Sequence, residues 1–152
     1  MGIRVSDAAA WMGILVCIAT CGCGGTYDST VSGVVTLSGA PVPRGTVKFL
    51  PTSAGPSAYG TIANDGTYEV TTGREEGLPS GSYSATVVAN EPSTPNTNSA
   101  LPPAPGKPLA PPWYRDPATS GLTFTVEPGD NEINIDLNTT PPPGWKPPPG
   151  RR

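Results

Sequence analysis

The chain has no histidine. It therefore lacks both the commonest general base and the commonest transition-metal ligand. The one stretch that resembles a nucleophile elbow, GPSAYG at 55–60, has Tyr59 where that turn needs glycine, and its serine has no imidazole to activate it. Positive charge is sparse as well: nine Lys and Arg stand against twelve Asp and Glu, with no basic stripe, which gives no footing for nucleic-acid binding. After Tyr27 no stretch repeats its apolar residues at the 3.6-residue helical period. Cysteine is confined to Cys17, Cys21 and Cys23, seven positions in all. Together these absences predict a non-catalytic chain without a cofactor, dominated by something other than helices.

Proline and glycine are plentiful, 40 of 152 residues, but unevenly placed. Nine prolines fall between Pro92 and Pro117 and six between Pro141 and Pro149. Such clusters mark irregular segments. The chain thus divides into an N-terminal segment, a body over 31–138 interrupted by a Pro-rich insertion at 91–118, and a Pro-rich tail at 139–152 that reads as disordered.

In the N-terminal segment, MGIRVSD is followed by a 13-residue apolar run, AAAWMGILVCIAT, and then by small residues. This is the layout of an export signal, and the run is too short to span a bilayer comfortably. A zinc site would need four ligands, and three thiols without histidine supply too few. A Cys21–Cys23 disulfide would close a strained two-step loop and leave Cys17 over. MGIRVS also fits the short myristoylation pattern at Gly2, which the following apolar run and cysteine explain less well than export does. GCGG at 22–25 resembles the lipobox of bacterial lipoproteins, a small residue before the cysteine and a flexible tether after it. The resemblance implies a signal over 1–22, lipidation of Cys23 and a tether over 23–30. Thr20 departs from the aliphatic residue usual in that motif, and IATC ending at Cys21 is the alternative site. A diacylglycerol plus an N-acyl chain is enough for stable membrane attachment.

In the body the alternating, period-2 pattern prevails. Val31, Gly33, Val35 and Leu37 share one face; Val47 and Phe49 alternate with Thr46 and Lys48. AYGTIA is a weaker strand, and NDG at 64–66 is a hairpin signal leading into TYEVTT. SYSATVVA turns Tyr83, Ala85 and Val87 inward. LTFTVE presents Leu122, Phe124 and Val126, and PGDN is read as the turn into EINIDL, with Ile133, Ile135 and Leu137 inward. Seven short strands with Gly, Pro and Asp turns predict an all-β fold, a single seven-stranded antiparallel β-sandwich.

VSGVVTLSGAPVPRGTVKFLP, NDGTYEV and GLPSGSYSATVVA resemble the carboxypeptidase-regulatory-like domains, of the transthyretin-like, prealbumin-type sandwich class. YRDPATSGLTFTVEPGDNEINIDL is similar to the end of small bacterial lipoproteins with such a domain. The resemblance covers about 31–138 and implies a secreted, envelope-associated, non-catalytic module. Transthyretin-like hydrolases depend on histidines, so it carries no hydrolase activity over to this chain.

Few residues remain as contact points. Glu75, Glu76, Asp130 and Glu132 sit in turns and read as solvated charges, without the dense carboxylate loop that holds calcium well. A Lys48 isopeptide bond to Asn134 or Asn138, assisted by Glu69, needs a dry core, and both Lys48 and Glu69 alternate with apolar neighbours. Trp113 and Tyr114 in PPWYRD and Trp145 in PPPGWKPPPGRR are the candidate ligand or partner contacts, unless the first two cover an open end of the sandwich. The partners expected are the membrane, through the lipid anchor, and an envelope protein or glycan; the alternative function is a carbohydrate- or small-ligand-binding module using aromatics such as Trp113, Tyr114 and Tyr59.

Overall fold

A computed structural model describes residues 26–95, 103–104 and 106–147. Cys17, Cys21 and Cys23, the signal and the first three residues of the tether (23–25) lie outside the described residues. Ten strands form in chain order: β1 (Ser29–Leu37), β2 (Ala40–Pro41), β3 (Gly45–Pro51), β4 (Ala58–Ile62), β5 (Thr67–Thr72), β6 (Glu75–Glu76), β7 (Gly81–Val88), β8 (Leu122–Val126), β9 (Gly129–Glu132) and β10 (Ile135–Leu137). The main hydrogen-bonded path runs β10-β1-β5-β4-β3-β7-β8, with β2 and β9 also on β1 and β6 on β5. All pairs are antiparallel except β9 and β10, which run parallel to β1.

The alternation read from the sequence is the alternation seen. Val31 and Val35 of β1, Val47 and Phe49 of β3, Tyr68 and Val70 of β5, and Tyr83, Ala85 and Val87 of β7 all point into one hydrophobic cluster. Phe49 lies at its centre, with ring centroids of Tyr68, Tyr83 and Phe124 at 6.3, 6.2 and 6.1 Å. These are ordinary distances for offset and edge-on aromatic pairs.

Local turns fix the register. At the β4–β5 hairpin Gly66 N–H donates to the Ala63 carbonyl (3.0 Å) and Ala63 N–H to the Thr67 carbonyl (2.8 Å). Only Gly66, at φ +86, enters the left-handed region; Asp65 does not. The Asp-Gly signal therefore makes a three-residue loop with a glycine bulge, in which Asp65 accepts from the Thr67 N–H and hydroxyl.

The C-terminal strands depart from expectation. PGDN is not a hairpin turn: β8 lies on β7 at one end of the path, whereas β9 and β10 lie on β1 at the other. Three Cα steps from Val126 to Gly129 reach at most about 11 Å. The two ends of the path must therefore meet, and the sheet is curled around its core. Asn131 secures the crossing: its side chain accepts from Glu127 N–H and donates to the Glu127, Gly129 and Thr30 carbonyls. EINIDL breaks at Ile133 and Asn134 into two short strands. The Asn134 side chain accepts from Val34 N–H across that break (2.9 Å). Expecting seven strands missed β2, β6 and this break.

The described part of the Pro-rich insertion has regular contacts that its composition did not suggest. Residues 90 and 108, and 94 and 104, pair as antiparallel bridges. A 3-10 turn (Pro112–Arg115) and a one-turn α1 (Pro117–Ser120) follow. Asp116 caps α1 by accepting from Ala118 N–H, proline fills its first position and Gly121 ends it at φ +65.

Candidate functional site

Because β1 runs from Ser29 to Leu37, the fold has two poles about 30 Å apart, nine residues at roughly 3.3 Å each. Following each strand through its register sorts the loops. The entry at Thr26–Asp28, the β5–β6 turn, Pro79–Ser80 and the β8–β9 crossing lie at one pole. The Ser38–Gly39 and Asn64–Gly66 turns, Arg44, the base of the insertion and Asn138 lie at the other.

The entry is firmly tied. Asp28 accepts from the Ser80 hydroxyl (2.6 Å) and N–H (2.8 Å), and its carbonyl accepts from Gly129 N–H. The hydroxyl bond, then the backbone one, holds the Asp28 carboxyl below its ordinary value. Ser29 and Leu78 exchange hydrogen bonds just inside it.

Trp113 and Tyr114 are not surface contacts. They are 8% and 4% exposed, tilted against each other, and part of the main core cluster. The Tyr114 hydroxyl accepts from Asn138 N–H, joining the insertion to the end of β10. Trp145 packs edge-on against Trp113 at 5.2 Å, half-buried, so the tail through residue 147 lies back on the fold instead of hanging free. The three aromatics expected to meet a partner pack together at the far end of the core, Trp113 and Tyr114 buried and Trp145 half-buried.

The concave surface lies elsewhere. On the outward side of β9, β1, β5 and β4 is an open groove of about 690 Å³. Ser32 is opposite Glu69 on one side and Glu132 on the other, so the two carboxylates flank a serine in one cross-strand row. Asn134 donates to the Glu132 carboxylate (3.1 Å). Tyr59 stands on β4 between Lys48 of β3 and Thr71 of β5. It is 46% exposed, and the Lys48 ammonium sits 5.3 Å above its ring. Tyr68 reaches the groove from the core; its hydroxyl donates to the Ile133 carbonyl (2.6 Å), and burial raises its pKa well above the usual phenol value. A smaller depression of about 240 Å³ adjoins, with Glu69, Glu76 and Asp130 along it.

Among the described residues, no three His, Cys, Asp or Glu groups stand close enough to hold a metal ion. Lys48 and Asn134 belong to segments separated by β4, β5 and β1, about 15–20 Å at one strand spacing each, so no isopeptide pair forms there. The sequence offers Tyr59 as one aromatic of a carbohydrate-binding alternative, and Glu69 and Glu132 singly, with nothing to join the three. What brings them together is the β4–β5–β1–β9 register, a non-local fact with no signal in any short stretch.

No family model matches the chain, and no curated protein or solved structure matches it significantly. Among the described residues no helix is long and apolar enough to cross a membrane.

Proposed function

We propose that this chain is an exported lipoprotein of the bacterial envelope, anchored through Cys23, with a non-catalytic, carboxypeptidase-regulatory-like domain in a structural or interaction role. On this reading the curled sheet is a transthyretin-like sandwich covered at its far end by the insertion and tail. The lipobox-like GCGG and the apolar run before it support the anchor. One structural observation gives the anchor a use. The chain enters at one pole, and the insertion and the aromatic end-cover of Trp113, Tyr114 and Trp145 stand at the other. From Cys23 to Asp28 is five residues, which reach at most about 18 Å. A domain so tethered keeps the Arg74–Glu76 turn at the bilayer and turns Arg44, Asn64 and the insertion outward, toward partners.

Two measurements test this. Detergent-phase partitioning should lose the protein to the aqueous phase in Cys23→Ser; release by Cys21→Ser alone would move the anchor to that residue. Photo-cross-linkers placed at 44 and 74 in intact envelopes should give lipid adducts at 74 and protein or glycan adducts at 44. Lipid adducts at 44 and none at 74 would refute the orientation.

A further inference from the structure

The groove of Tyr59, Glu69 and Glu132 is turned sideways, between the poles, and serves neither the tether nor the end-cover. Its wall is the most exposed aromatic ring among the described residues, and Lys48 approaches that ring from the β3 side. The other ring face is thereby turned toward β5, into the groove. Its floor is lined by hydroxyls of Ser32, Thr61 and Thr71, and its rim carries two carboxylates about 10 Å apart across the strands. The β4–β5 pairing of Tyr59 with Thr71, continued two residues, places Thr61 opposite Glu69.

We propose that this groove binds a glycan strand, with one pyranose ring stacked on Tyr59 and the hydroxyls of its neighbour donating to Glu69 and Glu132. A pyranose has an apolar C–H face and a rim of donors and acceptors. An aromatic platform with fixed acceptors beside it meets both at once. Carboxylates are acceptor-only and take two hydroxyl donors each; the serine and threonines can donate or accept as needed. The groove is shallow and open, which suits an internal stretch of a chain better than an enclosed small molecule. Lys48 over Tyr59 disfavours a cationic peptide at the ring, and the two glutamates disfavour a uronic-acid polymer. A neutral or N-acetylated saccharide is what remains.

The test is calorimetric titration of the full chain in detergent micelles with tetramers of β-linked glucose and of N-acetylglucosamine, a uronic-acid tetramer and tetralysine. Saturable binding of at least one neutral tetramer is expected, unchanged when salt rises from about 0.05 to 0.5 M, because no ion pair contributes. Tyr59→Ala should weaken it at least about tenfold, equivalent to about 1.4 kcal/mol. Glu69→Gln with Glu132→Gln should weaken it similarly, while Thr123→Ala on β8 leaves it unchanged. Glu69→Gln alone, which keeps the side-chain size, carries the test if the Tyr59 variant does not fold. Absence of saturable binding to every saccharide, binding that survives Tyr59→Ala in a folded protein, or salt-sensitive capture of tetralysine in their place would each overturn the proposal. Cys23→Ser should leave the titration unchanged, so this inference and the anchoring fail or stand separately.

Discussion

Gly33→Ala tests the closure of the sheet at one atom. Gly33 has no left-handed backbone to protect, so alanine suits its own conformation. The obstacle is across the strand: a Cβ there would lie 2.0 Å from the Ile133 carbonyl oxygen and 2.6 Å from its carbon. Ordinary contact begins near 3.4 Å, so the Ile133 backbone must retreat by more than 1 Å. Three hydrogen bonds depend on its present place: Ile133 N–H to the Ser32 carbonyl (2.8 Å), Val34 N–H to the Asn134 side chain (2.9 Å) and the Tyr68 hydroxyl to the Ile133 carbonyl (2.6 Å). At about 0.5–1.5 kcal/mol net each, their loss comes to about 1.5–4.5 kcal/mol. Alanine returns about 0.4–1 kcal/mol by restricting the unfolded chain. The expected destabilisation is about 1–4 kcal/mol, read as a shift of about 0.5–2 M in the urea midpoint for a slope of about 2 kcal/mol per M. Gly39→Ala is the control. Gly39 has φ +84 but nothing within 4 Å of its Cβ position, so it costs only the left-handed penalty of about 1–2 kcal/mol. With Gly39→Ala, β9 and β10 should keep their amide protection in hydrogen exchange; with Gly33→Ala they should lose it. A Gly33→Ala protein with an unshifted midpoint and intact protection over 129–137 would refute the parallel closure on β1.

Other outcomes follow from the same contacts. Because Asp28 titrates below its ordinary value of 3.8 when folded, its contribution is complete above that pH and disappears as pH falls through the lower folded value. Asp28→Asn should therefore flatten the acid limb of a stability–pH curve, and an unchanged acid limb would contradict the Ser80 clamp. Tyr68 titrates above its ordinary value of 10.0 when folded, so stability is lost as pH rises past about 10, where only the unfolded chain ionises. Tyr68→Phe should reduce that alkaline loss, leaving the part due to Tyr83, which burial also raises, while costing about 1 kcal/mol at neutral pH for the missing hydrogen bond. Trp145→Ala should expose Trp113 to acrylamide quenching and cost about 0.5–1.5 kcal/mol for the lost aromatic pair.

The inward faces were legible because alternation is local: Val47 and Phe49, or Tyr83 and Val87, carry their side in their own spacing. Where the chain chose its partner by distant contacts, the local signal misled. PGDN has the residues of a hairpin turn, yet Asn131 spends its side chain bridging Glu127, Gly129 and Thr30 so that β9 can join β1. Trp113 and Tyr114, between prolines, look alike in sequence whether they meet solvent or cover a core; only the packing against Trp145 and the bond to Asn138 decide it. D-P-A-T-S-G at 116–121 carried a capped helical turn in plain view, too short to register as a period. The groove was the least legible feature, since Glu69 and Glu132 are joined only through Ser32, which both oppose.

The proposed anchor is tested most directly by the mass of the N-terminal peptide of the mature protein isolated from envelopes. A peptide beginning at Cys23 and carrying a thioether-linked diacylglycerol is the predicted result. An unmodified peptide that begins before Ala8, with the apolar run retained and all three thiols free, would contradict it.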